Sequence, residues 1–500
     1  MISQLRESNQ PHQGMPRLPL RGGNHGQQIR PVTTGLIQPL PLWVWIVAFS
    51  GVLWGGLSIY PALTAACCLS LPILASLLFI KGESPILFAC CAMQWLQVVI
   101  LVFYADFYST PLERVIEFPE LEKATWLSLG GVIALAIGMR SAIDSVGRGP
   151  VMAAKMEQGL ERLSLGRLML AWLISFIISS SIGAVAWKFG SLRQFATPIG
   201  SIKWIFFYLL IYRILVRDEG YKYLMTAVFL EFLGGFGYFS TFKEGIMMLL
   251  IVVMGLPRGM SLRVRGITLA FITMGFFASL FWSVIKVDFR DYLQKEWRKK
   301  SGGASTLEKL EVIGEFASRM DARKIEEGFK ATVSRVSYTG LFGTVIKHVP
   351  AGEPHSNGEL WLGAITHVLT PRFLFPDKKV LDDSARARRF TGMRLSGAEE
   401  GTSIGIGYMA ESYADFGSWG MYFPVYLLGL FFGRIYRNFC ANPQSALLGS
   451  AIATSILFSV IQAFALSNAK IVGSLVVLCL AYVALNAVFG KSLLRWLYQE

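Results

Sequence analysis

Residues 84–105 read SPILFACCAMQWLQVVILVFYA, twenty-two consecutive positions without a charged side chain. About 20 such residues in a helix cross the ~30 Å hydrocarbon core of a bilayer. A helix suits that environment because it satisfies every backbone N–H and C=O within its own segment. The same reading carried outward along the chain finds twelve apolar runs, at about 40–59, 61–80, 84–105, 124–139, 167–188, 200–216, 221–240, 244–256, 266–286, 418–433, 444–466 and 471–490. The expected fold is therefore an all-α polytopic membrane protein of about 12 transmembrane helices. Composition agrees: the 500-residue chain is 53% apolar and only 16% charged, with a mean hydropathy of +0.48. Soluble proteins carry about 25% charge and disordered chains lack this much apolar surface, so both classes are excluded.

Charge orients the bundle. The tails and short loops at 1–39, 81–83, 140–167, 213–222, 257–265, 434–443 and 491–500 hold 20 Lys and Arg. The opposite short loops, including helix-end residues, hold seven: Arg114, Lys123, Lys188, Arg193, Lys203, Lys243 and Lys470. The positive-inside rule places the first set, with both termini, in the cytoplasm. Five regions follow: a flexible cytoplasmic tail (1–39), helices 1–9 (40–286), an extracytoplasmic loop domain (287–417), helices 10–12 (418–490) and a short cytoplasmic tail (491–500). The first apolar run starts too late for a cleavable signal peptide, so it is expected to act as an uncleaved anchor. The net charge of +14 is thus partly topological; a nucleic-acid binder would carry a basic stripe on one soluble face, and no nucleic-acid partner is expected.

The outer loop holds no cysteine, which argues against a disulfide framework or thiolate metal site there. Its 18 acidic residues nearly balance 20 basic ones between 286 and 417. Ser305 and Glu308 fit a capping box, and Leu307, Leu310, Ile313, Phe316, Met320 and Ile325 follow at roughly helical spacing. An amphipathic helix over about 306–330 is predicted, then a second over 331–347 and mostly loop from 350 to 405, where Gly and Pro are frequent. Gly401, Ser403 and Gly405 match a hydrolase elbow pattern, which has meaning only on an α/β sheet that this loop is not expected to supply. There is no D-x-D, no H-E-x-x-H and no ATP-binding module; no metal and no cofactor are expected.

Chemistry concentrates between 353 and 415. Glu353, His355 and Glu359 come first, then Arg372 and Lys378, then Arg386, Arg388, Arg389 and Arg394, and last Glu411 and Asp415. Arginine binds phosphate bidentately, and a neighbouring Glu or His accepts a proton from an incoming hydroxyl. The set points to a lipid-linked phosphate ester or pyrophosphate held at the outer headgroup level, with Glu411, His355 and Glu353 as candidate catalytic groups. Glu231 within the seventh run, and the Lys243–Glu244 pair at the outer junction of the seventh and eighth, stand out, because intramembrane charge is costly and usually serves a purpose.

The stretches PRFLFPDK (371–378) and ESYADFGSWG (411–420) resemble those of the Wzy-type oligosaccharide repeat-unit polymerases. Pro371, Arg372, Leu374, Pro376, Asp377 and Lys378 fit the first motif, with Lys379 in place of a second Pro; Glu411, Tyr413, Phe416, Gly417 and Gly420 fit the second. The resemblance implies a GT-C-like helical bundle in the cytoplasmic (inner) membrane. It implies transfer of a growing glycan from undecaprenyl pyrophosphate to a new lipid-linked repeat unit, alongside a flippase and a chain-length regulator. It also makes Arg372 and Lys378 pyrophosphate or glycan contacts, Glu411 a site carboxylate and Lys243 a further contact. His355 and the cluster from Arg386 to Arg394 rest on their chemistry alone. Two alternatives stay open: an O-antigen ligase-like transferase, and a polysaccharide or lipid-linked oligosaccharide transporter.

Overall fold

The computed structural model describes residues 40–80, 82–143, 159–188, 193–235, 243–256, 261–299, 306–318, 321–370, 375, 381–397, 403–440, 446–461 and 463–498. Among these residues the chain is helical throughout, with no sheet and one isolated bridge between Leu163 and Tyr498. The helices are α1 (Leu42–Gly55), α2 (Pro61–Leu78), α3 (Ile86–Phe107), α4 (Leu112–Val115), α5 (Leu121–Ile143), α6 (Leu165–Lys188), α7 (Arg193–Arg217), α8 (Tyr221–Gly235), α9 (Lys243–Met254) and α10 (Leu262–Lys299). They continue as α11 (Thr306–Ser318), α12 (Ala322–Val336), α13 (Thr339–His348), α14 (Glu359–Leu369), α15 (Asp383–Thr391), α16 (Tyr408–Gly420), α17 (Tyr422–Cys440), α18 (Ala446–Phe458) and α19 (Asn468–Leu497).

Each of the twelve apolar runs falls on a helix. Seven of them, in α2, α3, α5, α6, α7, α10 and α19, are long and apolar enough to cross a membrane, the mark of a multi-pass membrane protein. The other five runs form α1, α8, α9 and α18, of 14, 15, 12 and 13 residues, and α17, of 19. Over their described residues the first four rise at most ~22 Å at 1.5 Å per residue, less than the thickness of the hydrocarbon core. α17 is long enough but carries Arg434 and Arg437 toward its end. Among the described residues, seven of the twelve runs are thus full-length candidate spans.

α7 lies innermost: 72% of its 18-residue apolar window within Ala196–Arg217 is buried, against 17% of the window within Leu262–Ile285 of α10. Pro198 lies inside α7 and lacks an N–H for the ladder, and side chains of α18 and α19 bond to α7 carbonyls in this region. Tyr482 Oη donates to the Pro198 carbonyl at 3.3 Å and Ser455 Oγ to that of Ser201 at 2.8 Å. Lys203, one turn on, pairs with Glu231 of α8 at 2.7 Å and lies over the Trp204 ring at 4.3 Å, so the span charge at Glu231 is matched across two helices.

α5 and α17 pack along their length through glycine. A Cβ placed on Gly138 would stand 2.1 Å from the Tyr426 carbonyl oxygen; on Gly429 it would stand 2.1 Å from that of Leu135, and on Gly433 2.5 Å from that of Met139. Backbone therefore meets backbone at this crossing. Gly429 and Gly433 form a small-xxx-small pair of the kind that lets membrane helices approach closely.

The stretch from 287 to 417 is more helical than the sequence suggests. α10 continues unbroken to Lys299. In place of one helix over 306–330 there are α11 and α12. α12 starts where the Asp321 side chain accepts the Lys324 N–H at 2.8 Å, an N-cap that begins a new helix. Ser305 lies outside the described residues. The predicted helix at 331–347 is divided: its first residues end α12 at Val336 and the rest form α13 from Thr339, and 350–405 contains α14 and α15 where loop is expected. α15 is capped by Asp382, which accepts the Ala385 N–H at 2.9 Å, and stops at Gly392, whose φ of 67° suits glycine. The first turn of α14 is held by the buried Asp415 of α16, which accepts Leu360 N–H at 3.1 Å and Trp361 N–H at 2.9 Å.

Candidate functional site

The α15 sequence DSARARRFT places Asp383 and Arg386 three residues apart, on one helical face, which α15 turns toward the bundle. Opposite them, Glu411 lies in the first turn of α16 and is 1% exposed. The loop before it is fixed by Tyr338, whose Oη accepts the Ala410 N–H at 3.2 Å and donates to the Ile406 carbonyl at 2.5 Å. One Glu411 oxygen accepts the Asn468 backbone N–H at 2.8 Å; the other lies 3.7 Å from Arg386 Nη1, an ion pair without a hydrogen bond. Asn468 opens α19, so the carboxylate caps the positive end of a long helix.

Two residues along α19, Lys470 pairs with Asp383 at 2.7 Å and donates to Ser403 Oγ at 2.9 Å. Polar atoms are crowded here beyond their supply of partners: Arg386 Nη1, Asp383 Oδ1, Ser467 Oγ and both amide atoms of Asn468 are buried without a hydrogen-bond partner. Unsatisfied polar groups that gather in one cluster mark a place built for more than packing. Burial pushes the Glu411 carboxyl up to about 7, against the lowering effect of the Asn468 N–H and Arg386 and with a smaller push from Asp383 and Asp415. A carboxyl near neutrality, beside a guanidinium at a helix start, has the proton affinity suited to exchanging a proton with a hydroxyl.

The other candidates divide. Arg386 joins Glu411; Arg389, one turn on, is engaged elsewhere, bonding Glu353 at 2.7 Å and approaching Glu359 at 3.4 Å. Arg388 donates to the Leu395 carbonyl at 3.0 Å and lies 3.8 Å from Asp382. Arg394 is exposed. His355 Nδ1 meets the Ala414 carbonyl at 3.2 Å, and its ring packs edge-on against Tyr413. Glu353 and His355 are thus engaged by Arg389 and the α16 backbone, outside the Glu411 contacts. Lys243 stands exposed at the first residue of α9, beside Glu244. Arg372 and Lys378 lie outside the described residues.

Asp383, Lys470, Ser403 and Asn468 are members that the sequence does not point to. The i, i+3 spacing of Asp383 and Arg386 is visible in it, but nothing local ties either residue to 468 or 470. A family model described as a domain of unknown function, DUF8712, matches residues 146–487, a span that includes the whole cluster. No curated protein and no solved structure matches the chain.

Proposed function

The chain belongs to the DUF8712 family, and on that premise we propose that it is a membrane polymerase joining polyprenyl-pyrophosphate-linked oligosaccharide repeat units. The observation that carries the reading is the buried Glu411, brought up to about 7 and paired with Arg386 at the head of α19. Glu411 takes the proton of an acceptor sugar hydroxyl. That oxygen attacks the anomeric carbon of the donor glycan, the bond from that carbon to the pyrophosphate oxygen breaks, and the polyprenyl pyrophosphate leaves with the electron pair. Arg386 meets the charge that develops on the leaving group, with Arg372, Lys378 and the exposed Arg394 as further cationic contacts. Arg389, tied to Glu353 and Glu359, positions α15. The resemblance in PRFLFPDK and ESYADFGSWG supports the same chemistry, as does the placement of the cationic residues in one segment between spans.

The reading includes about twelve membrane passes in a GT-C-like bundle in the cytoplasmic membrane, with both termini inside and 287–417 outside. A Ser318→Cys variant tests this placement, because Ser318 is exposed at the end of α11. An impermeant thiol reagent labels it in intact cells, with any outer envelope permeabilised; protection of that site overturns the topology. The activity is tested in cells lacking the protein. Single repeat units on lipid accumulate at the outer face, long chains disappear, and both effects reverse on complementation. Long chains that persist on lipid without transfer to a final acceptor indicate a ligase, and repeats retained at the cytoplasmic face indicate a transporter; either outcome overturns the polymerase reading.

A further inference from the structure

α14 carries ELWLGAITHVL, an apolar sequence too short to span. Its start is polar and anchored: Asp415 holds its first amides, Glu359 faces Arg389, and the Trp361 indole donates to Ser412 Oγ at 3.0 Å. Past that point the character changes. Leu362, Ile365 and Leu369, at i, i+3 and i+7, form one stripe and are 64, 47 and 72% exposed. Thr366, exposed beside them, turns its hydroxyl back to the Leu362 carbonyl at 2.9 Å, so it asks nothing of water.

The neighbours fix the level of the helix. α14 packs against α19, a candidate span, and Val368 Cγ2 lies 3.6 Å from where a Gly473 Cβ would be. Gly473 is five residues beyond Asn468, or ~7.5 Å along the helix axis. The far end of α14 therefore stands well below the level of Glu411, and the chain is back beside Lys470 at Asp383. Below Gly473, α19 continues with exposed Val477, Leu480 and Val483, the face a span presents to lipid. The α14 stripe thus lies on a helix packed directly against this span, and Trp419 and Phe423, both exposed, lie at the turn from α16 to α17, as aromatic side chains do at a membrane interface.

We propose that α14 is a half-length helix inserted into the leaflet beside the Glu411 end of the bundle, with its Leu362–Ile365–Leu369 face covered by lipid acyl chains. α14, Glu359–Leu369, is then membrane-embedded, and the soluble part between spans is correspondingly smaller. Nothing in this depends on the reaction, so it stands or falls separately from the polymerase reading.

The test places a nitroxide at Leu362→Cys, Ile365→Cys and Leu369→Cys in turn, in the full chain with Cys68 and Cys479, the partly exposed cysteines, replaced by Ala. The proteins are reconstituted in phosphatidylcholine–phosphatidylglycerol vesicles, and collision with oxygen is compared with collision with a water-soluble nickel chelate. Leu480→Cys supplies the lipid reference and the exposed Arg323→Cys the aqueous one. The expected oxygen-to-nickel ratio at 369 shifts to the Leu480 value, with 362 between the two references. Ratios equal to that of Arg323 at all three positions overturn the proposal. So does low collision with both reagents and an immobilised spectrum, which would mean that a second copy or another protein covers the stripe. Where one labelled variant fails to fold, Thr366→Cys on the exposed side gives the same reading.

Discussion

Glu411→Gln abolishes long-chain glycan while the protein stays folded in the membrane, with a fall in polymerisation rate of about a hundredfold or more, the usual contribution of a positioned base. Glutamine keeps the shape and can still accept the Asn468 N–H, but it cannot take a proton. Arg386→Lys keeps charge and loses the planar fork; if Arg386 meets the leaving pyrophosphate, the loss is about 3 kcal/mol, or roughly a hundredfold. With Glu411 as base, the wild-type rate rises with pH through about 7 and then levels. The sign for stability is opposite. A carboxyl raised from 4.5 to about 7 in the folded protein binds its proton more tightly there than in the unfolded chain. It therefore contributes stability below about 4.5 that is lost as pH rises through about 7. Glu411→Gln removes that dependence and is at least as heat-stable in detergent as wild type at pH 8. Normal chains from both variants at equal membrane abundance place the chemistry elsewhere.

Gly138→Val is expected to leave almost no folded protein. Its Cβ would be driven into the Tyr426 carbonyl of α17, backbone against backbone, so no side-chain rotation relieves the clash. Overpacking costs typically 1–3 kcal/mol where side chains can shift, and this site belongs at or above the top of that range. Gly429→Val attacks the same crossing from the other helix and should fail similarly. Gly166→Ala in α6 and Gly266→Ala in α10 are the controls, since a Cβ at either meets nothing within 4 Å. Alanine there gains about 0.5–1 kcal/mol over glycine in a helix. Detergent melting midpoints and the yield of monodisperse protein measure all four; a Gly138→Val protein that melts with wild type refutes the packing argument.

Apolar runs and helices coincide because one property, the absence of charge over many residues, governs both. Where a helix ends is decided by single caps, and several of those act from far away. Asp415 caps α14 from 55 residues downstream of Leu360, so no local rule applied to 350–405 could find that helix. Asp382, by contrast, caps its own α15 and was legible in principle. The site divides the same way. Glu411 and Arg386 are conspicuous by type, whereas Asn468 is an unremarkable polar residue whose backbone N–H meets Glu411 across 57 positions. Gly429 and Gly433 show their spacing in the sequence, but the partner at Gly138 emerges only when α5 and α17 are seen to cross.

Glu411 and Asp415 are four residues apart on α16, one above the other. The first is fastened to the start of α19 and the second to the start of α14. One turn of α16 thus serves as the common abutment of two helix starts, so the first amides of α14 and of α19 are registered against the same short piece of backbone.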